Sequence, residues 1–385
     1  MKNLYVAKTL FGLEDLLVDE LKSFKCESVK KLNRAVQFET DLKGLYMANL
    51  RSRYALRILQ PVIEFKAADT DELYKKAMLM DWQSYMTLDQ TFAIDATTKS
   101  EAFTHSKYAS LKLKDAIADH FREKTGDRPN VDPEFPDIRF NLHIWEDNIT
   151  ISLDASGESL HKRGYRPASA RAPISEVLAA GMLGLAGWNG QTNFMDPMCG
   201  SGTLLLEALH MAANVPSQWL RRHYAFFEWA NYDEELWEEV RRETWMLKKP
   251  VDVKFYASDL EPGTIRLLQD SIKRLPVRAE IQIEQQNFFE MVPPEGPFFI
   301  IMNPPYGERI KTEDIERFYS QIGDKLKLDF QGSSAWFISS NKDALKRFGL
   351  KPSKKFELFN GQLKCKFSGF ELYSGSKKAN KQTTD

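Results

Sequence analysis

Four consecutive residues, Asn303-Pro304-Pro305-Tyr306, combine groups that could act on a planar aromatic amine. They follow residues 297–302, an apolar run with the length of a buried strand, which the two prolines prevent from continuing. The Asn303 amide oxygen and the Pro304 carbonyl could accept both N–H bonds of such an amine at the carboxyl end of the strand. Gripping both hydrogens redirects the nitrogen lone pair to an electrophile, and Tyr306 could stack on a flipped-out base. An ordinary proline-rich turn is the alternative.

A second candidate site is a glycine-containing loop between a predicted strand and a predicted helix. Its sequence is Asp196-Pro197-Met198-Cys199-Gly200-Ser201-Gly202-Thr203. The glycines allow backbone amides to approach a ligand at the helix N-terminus. A dinucleotide fingerprint needs a third glycine where this chain has Leu205, and a P-loop needs a Gly-Lys-Ser/Thr sequence that this loop lacks. An acid followed by two close glycines fits S-adenosylmethionine best.

The ends of the next two predicted strands supply the remaining candidates for this cofactor site. Asp259 follows the first strand and could accept both ribose hydroxyls. Asn287 and Phe288 follow the second strand, where they could hydrogen-bond and sandwich an adenine ring. Residues 214–250 form an insertion between the two acids that is rich in aromatic residues. We interpret the insertion as a small core that caps the sheet rather than as a set of base-stacking platforms.

These residues require a mostly parallel sheet to bring strand ends together. From about residue 170, strands alternate with helices, which is typical of a doubly wound α/β domain, here predicted at 171–374. Near its end, Asn360-Gly361 separates two apolar runs and predicts a two-residue hairpin. The sheet should therefore end in antiparallel strands. The lysine-rich tail, 375–385, is predicted to be disordered.

Two smaller α+β units are predicted before this domain. Residues 1–64 follow the order strand-helix-strand-helix-strand of a ferredoxin-like unit, and residues 65–155 form a second unit that ends in a hairpin. One helix of the second unit carries Lys107, Lys112 and Lys114. These lysines could contact phosphates, which positions a nucleic acid without reading its sequence. A solvated amphipathic face is an equally good interpretation.

Residues 156–170 are predicted to link the second unit to the α/β domain. This segment carries four cationic or imidazole side chains within six residues: His161, Lys162, Arg163 and Arg166. That is more charge than a linker needs, and we predict that these side chains contact RNA.

Composition sets limits on the class of protein. The chain has 385 residues, of which 43% are hydrophobic and 28% charged, as in an ordinary globular protein with two or three domains. Its net charge of -1 means that any nucleic-acid binding must use local patches. The three cysteines, Cys26, Cys199 and Cys365, are far apart, so neither a disulfide framework nor a metal site is expected. Without a signal-like start or an apolar run of about 18 residues, we expect a cytoplasmic protein with no membrane partner.

Four stretches resemble the THUMP-domain class I RNA methyltransferases, specifically those that methylate guanine N2 in large-subunit ribosomal RNA. The stretches are Lys114-Asp115-Ala116-Ile117, Ser156-Gly157 with His161-Lys162-Arg163-Gly164-Tyr165-Arg166, the loop Asp196 to Gly202, and Asn303-Pro304-Pro305-Tyr306-Gly307-Glu308-Arg309. The resemblance implies a ferredoxin-like domain, an RNA-binding THUMP domain and a Rossmann-like catalytic domain that uses S-adenosylmethionine. Within that catalytic domain, Arg171 joins the predicted cofactor contacts.

The sequence is also compatible with other functions. Guanine methyltransferases that act on tRNA share the catalytic turn, as do DNA amino-methyltransferases. Cys199 could act as a nucleophile for pyrimidine methylation, although its place in the cofactor loop favours a packing role. A further alternative is a non-catalytic ribosome-assembly factor that retains the fold.

Overall fold

The computed structural model describes residues 1–166, 174–306 and 312–373. These residues form two compact units. The first unit contains residues 1–9, 18–162 and 221–242, and the second contains residues 10–17, 163–220 and the chain from residue 243.

Strands and helices alternate along the described chain. The elements before residue 160 are β1 Asn3–Thr9, α1 Glu14–Ser23, β2 Glu27–Leu32, β3 Ala35–Thr40, α2 Leu42–Arg51, β4 Ala55–Lys66, α3 Thr70–Met78, β5 Phe92–Lys99, α4 Ser106–Thr125, β6 Ile138–Trp145 and β7 Asn148–Asp154. Those after it are α5 Glu176–Ala186, β8 Asn193–Asp196, α6 Thr203–Ala212, α7 Glu234–Met246, β9 Lys254–Asp259, α8 Pro262–Lys273, β10 Glu280–Gln285, β11 Phe298–Met302, α9 Thr312–Asp329, β12 Ser334–Ser339, α10 Lys342–Lys346, β13 Lys354–Asn360 and β14 Leu363–Glu371. None of the described helices is both long enough and apolar enough to cross a bilayer.

The first unit has one continuous sheet in the order β2-β3-β1-β4-β7-β6-β5. The long strand β4 crosses the predicted boundary between residues 64 and 65, and it pairs with β1 on one side and β7 on the other. In β6, burial alternates strictly from Ile138 onward, as the sequence pattern predicts for a strand with one face in the core. The two predicted α+β units therefore share a sheet.

The aromatic insertion belongs to the first unit for most of its length. Phe226 stacks on Tyr46 of α2 at 4.6 Å between ring centroids, and Trp237 of α7 meets the same ring edge-on at 5.6 Å. The side chains of all three residues are buried. The prediction that these residues cap the sheet of the α/β domain is wrong, because they complete a core around α2 in the first unit.

The second unit has a sheet in the order β10-β9-β8-β11-β12-β14-β13. Strands β10, β9, β8, β11 and β12 are mutually parallel, while β14 pairs antiparallel with β12 and β13. Every residue of β11 is buried, which agrees with its continuous apolar sequence. From β8 the chain proceeds to β9 on one side and later to β11 on the other. The switch point of this open sheet, where such folds bind ligands, therefore lies between β8 and β11.

Candidate active site

The carboxyl ends of three adjacent strands bring the main predicted residues to one edge of the sheet. Asp196 ends β8, Asp259 ends β9, and Asn303 follows β11 directly. Because β9, β8 and β11 are neighbours and parallel, these three positions share the edge where the strand order switches.

The conformation of the glycine loop depends on two positions that favour glycine. Gly200 and Gly202 have positive φ angles of 53° and 80°. A Cβ on Gly202 would also lie 2.2 Å from the Leu268 side chain of α8. The loop is fixed to β9, because the Cys199 amide donates to the Ser258 carbonyl at 2.9 Å. The backbone of this loop thus approaches both α8 and β9 closely.

Asp196 is a buried carboxylate with no ion-pair partner among the described residues. Its side chain is 1% exposed, and neither carboxylate oxygen accepts a well-aligned hydrogen bond from the described residues, although the Met198 amide lies close enough to stabilise the charged form. Burial raises the pKa of Asp196 well above its ordinary value; the nearby Asp259 raises it further, and the Met198 amide opposes the rise. An uncompensated buried charge is costly, so this position suits a ligand that carries positive charge. The sulfonium and ammonium groups of S-adenosylmethionine provide such charge.

Asp259 supports the loop in addition to any ligand it holds. One carboxylate oxygen accepts from the Gly200 amide at 2.8 Å, and the other accepts from the Glu261 amide at 3.0 Å. Each oxygen has a second lone pair, which leaves acceptor capacity for ribose hydroxyls. Ribose binding by Asp259 remains a prediction.

The predicted adenine contacts divide into one exposed residue and one core residue. Asn287 is partly exposed, and its side chain accepts from the Phe289 amide at 3.1 Å and donates to Glu290 at 2.9 Å. Phe288 is 3% exposed and stacks on Phe330 inside the core, with ring centroids 6.0 Å apart. The prediction that the Phe288 ring sandwiches adenine is therefore wrong, because apolar packing has turned the ring inward.

Cys199 has the character of a packing residue. The side chain is 8% exposed. Burial raises the pKa of the Cys199 thiol well above its ordinary value, and the carboxylates of Asp196 and Asp259 raise it further. A neutral buried thiol is a poor nucleophile, which speaks against the pyrimidine mechanism.

The turn after β11 is held through both side chains and backbone. The Tyr306 hydroxyl donates to the Asn303 amide oxygen at 2.5 Å. The Tyr319 hydroxyl of α9 donates to the Pro305 carbonyl at 3.3 Å, and the Asn341 amide donates to the Tyr306 carbonyl at 3.4 Å. The acceptor oxygen predicted for a substrate amine is thus already hydrogen-bonded, by a residue for which the sequence predicted only a stacking role.

Buried pairing explains two of the predicted RNA contacts differently. The Arg163 side chain is fully buried and forms an ion pair with Glu207 of α6, which also accepts from the Tyr165 hydroxyl at 2.5 Å. Arg166 pairs with Glu176 at 2.5 Å, and its side chain is 17% exposed. The prediction that Arg163 contacts RNA is wrong because its charge is neutralised inside the second unit.

The other basic candidates lie at the surface of the first unit. Lys162 pairs with Glu158 at 2.8 Å, Lys112 with Asp71 at 3.0 Å, and Lys114 with Asp115 at 2.7 Å. The Lys112 and Lys114 side chains are partly exposed and that of Lys162 is exposed, and solvated pairs of this kind are weak and could exchange for phosphates at little cost. Lys107 is exposed, and His161 forms a 2.8 Å hydrogen bond with Ser159. RNA contacts by these residues remain predictions; Arg171, a predicted cofactor contact, lies outside the described residues.

Comparison with known proteins agrees with this architecture. Residues 163–368 match the family described as RMKL-like, methyltransferase domain. Residues 67–154 match the THUMP domain, and residues 5–59 match the RlmL ferredoxin-like domain.

Similar proteins have related names. A candidate RNA methyltransferase of Synechocystis sp. is 36% identical over 371 residues, which cover 96% of this chain and 97% of that protein. The ribosomal RNA large subunit methyltransferase K/L of Psychromonas ingrahamii is 35% identical over 96% of this chain. This chain spans about half the length of the K/L relatives, covering 50% of that protein.

A solved structure extends the likeness to the cofactor. SMU.472, a methyltransferase candidate crystallised with SAH, superimposes with a TM-score of 0.87 at 25% identity, over 97% of this chain and 99% of that one. The chain therefore belongs to the RMKL-like methyltransferase family, as an S-adenosylmethionine-dependent enzyme with ferredoxin-like and THUMP domains before its catalytic domain.

Proposed function

We propose that this enzyme methylates the exocyclic N2 amine of a guanosine in large-subunit ribosomal RNA. The RNA substrate is supported by the THUMP match and by the names of the Synechocystis and K/L relatives. The guanine N2 target rests on the resemblance of the turn and its flanking residues to guanine methyltransferases. The observation that carries the methyl-transfer chemistry is the buried Asp196, which has no ion-pair partner among the described residues, at the same sheet edge as Asn303.

In this mechanism the protein acts mainly by positioning. The Asn303 amide oxygen and the Pro304 carbonyl accept the two amine hydrogens of guanine, which aims the nitrogen lone pair towards the neighbouring strand end. S-adenosylmethionine, when bound, supplies an electrophilic methyl group. Asp196 would balance the positive charge of that cofactor, and the Gly200–Asp259 hydrogen bond keeps the loop in place. A strong base is unnecessary, since the amine proton becomes acidic once nitrogen bonds to carbon.

The first test removes the proposed acceptor. Asn303→Ala should lower the rate of methyl transfer to ribosomal RNA by well over tenfold and leave the affinity for S-adenosylmethionine nearly unchanged. Asn193→Ala is the matched control, because Asn193 lies at the opposite end of β8, where its side chain accepts from the Lys254 amide at 3.0 Å. An Asn303 variant that keeps more than about a tenth of the activity, a loss below ~1.4 kcal/mol, would contradict the assigned role.

The second test identifies the product. Ribosomal RNA, tRNA and DNA from a deletion strain are incubated with the enzyme and labelled cofactor, and the nucleosides are separated by mass spectrometry. N2-methylguanosine in large-subunit RNA is the expected product. Methyladenine in any of the substrates, or methylguanosine confined to tRNA, would overturn the proposal.

A further inference from the structure

The hairpin between β13 and β14 places an asparagine where its turn does not need one. The sequence predicts Asn360-Gly361 as the two central turn residues. In the structure, Asn360 pairs with Leu363 as the last residue of β13, and the central residues are Gly361 and Gln362. Gly361 takes the positive φ, 61°. The Asn360 side chain is therefore available for another contact.

That contact leads directly to the catalytic turn. The Asn360 amide group donates to the Tyr306 hydroxyl oxygen at 3.3 Å, and the Tyr306 hydroxyl donates in turn to the Asn303 amide oxygen at 2.5 Å. Both hydrogen bonds are donated in the same direction, from Asn360 through Tyr306 to Asn303. The Asn360 amide nitrogen can only donate to the phenol oxygen. The Asn303 amide oxygen at 2.5 Å is a stronger acceptor for the phenol proton than the sulfur of Cys365, which also contacts the phenol, so the proton points to Asn303 and fixes its carbonyl rather than its amine on that side.

We propose that Asn360 is a positioning residue, which acts through the Tyr306 hydroxyl to hold the Asn303 amide in the orientation that accepts the substrate amine. This inference rests on the proposed function. The phenol holds the acceptor before RNA binds, and the guanine amine then replaces the phenol as the donor to the same oxygen.

Two further features of the site fit this role. Burial raises the pKa of Tyr306 far above its ordinary value, and the neighbouring Cys365 raises it further, so the phenol stays protonated and remains a donor. The backbone of the turn has separate supports, since Tyr319 bonds the Pro305 carbonyl and Asn341 bonds the Tyr306 carbonyl. A change at Asn360 should therefore alter the orientation of Asn303 without releasing the turn.

The test is a double-mutant cycle between Asn360 and Tyr306, with methyl transfer to RNA from tritiated S-adenosylmethionine as the readout. In Asn360→Asp, the new carboxylate accepts the phenol proton and withdraws it from Asn303, so kcat should fall at least tenfold while the cofactor Kd stays within twofold. In Asn360→Ala, kcat should fall less, because this variant removes one hydrogen-bond donor without drawing the phenol proton away from Asn303. In a Tyr306→Phe background, Asn360→Asp should change kcat less than twofold.

The control is Gln362→Asp, which adds the same charge at the exposed centre of the same hairpin and should leave kcat unchanged. Equal losses from Asn360→Asp in both backgrounds would overturn the inference, as would a loss in cofactor affinity. If the activity of Tyr306→Phe is too low to measure, the two single variants at Asn360 are compared instead. A kcat of Asn360→Ala that is equal to or lower than that of Asn360→Asp would overturn the inference. The readout counts methyl transfer to any base, so a wrong product would refute the proposed function without affecting this comparison.

Discussion

Two buried carboxylates on either side of the glycine loop have opposite surroundings. Glu207 of α6 pairs with the buried Arg163 and accepts from the Tyr165 hydroxyl. Asp196 of β8 is equally buried, but its oxygens accept no well-aligned hydrogen bond from the described residues. Both belong to the second unit, so depth alone does not separate them.

The difference indicates what each carboxylate is for. A buried charge is tolerated when protein groups neutralise it, and Glu207 meets that condition within its own fold. Asp196 does not, and burial instead raises its pKa. Glu207 therefore holds residues 163–165 to α6. For Asp196 we propose that the missing positive charge comes from the cofactor.

The largest expected effect comes from breaking the satisfied pair. Glu207→Gln retains an acceptor for Tyr165 but leaves Arg163 buried without its counter-charge. Removing one partner of a buried pair costs about 3–5 kcal/mol, and we expect that loss in the free energy of unfolding, measured by urea denaturation.

A second variant separates charge from shape at the same place. Arg163→Met combined with Glu207→Gln removes both charges and should recover most of the lost stability. If the double variant is as unstable as Glu207→Gln alone, the ion pair is not the source of the loss.

The unsatisfied carboxylate should behave in the opposite way. Asp196→Asn removes a charge that the fold does not neutralise, so the cofactor-free variant should unfold at a higher urea concentration than the natural protein. Its affinity for S-adenosylmethionine should fall at least tenfold, or about 1.4 kcal/mol, by calorimetry. An unchanged affinity would remove Asp196 from the cofactor site.

The pH dependence of stability and of cofactor affinity provides a second test of the role of Asp196. Because the folded pKa of Asp196 is raised, the folded state binds the proton more tightly than the unfolded state. Its contribution to stability is fully present below the ordinary pKa of 3.8 and is lost as pH rises through the folded pKa. Cofactor affinity should rise over that same window, as the carboxylate becomes charged. Asp196→Asn should flatten both profiles, and profiles that keep their slope in the variant would contradict the assignment.

Local patterns were enough to predict the strand ends that build the site. The continuous apolar run before Asn303 marks a buried parallel strand, and the adjacent prolines mark its end; β11 runs Phe298–Met302 as expected. Strand β10 runs Glu280–Gln285 and ends shortly before Asn287 and Phe288, in agreement with the sequence prediction that these residues follow a strand. Each of these strand ends is defined by residues that are adjacent in the chain, so a single sequence is enough to predict it.

Partners distant in sequence could not be predicted in the same way. Arg163 lies in a basic segment, and nothing near it indicates burial against Glu207. A signal was present in α6, where Glu207 interrupts the otherwise apolar sequence from Leu204 to Leu209 and thus requires a buried cation. Phe288 presents the same difficulty, because only the packing of Phe330 decides that its ring turns inward.

The smallest expected effect comes from an ion pair next to Arg163 in sequence. Lys162 and Glu158 approach to 2.8 Å, but their side chains are 59% and 60% exposed. Water already solvates both charges, so Glu158→Gln should change the free energy of unfolding by less than about 1 kcal/mol, and by less still at high salt. Urea denaturation at low and high ionic strength measures both values. If Glu158→Gln lowered the free energy of unfolding nearly as much as Glu207→Gln does, burial would not explain why the Arg163–Glu207 pair is the stronger of the two.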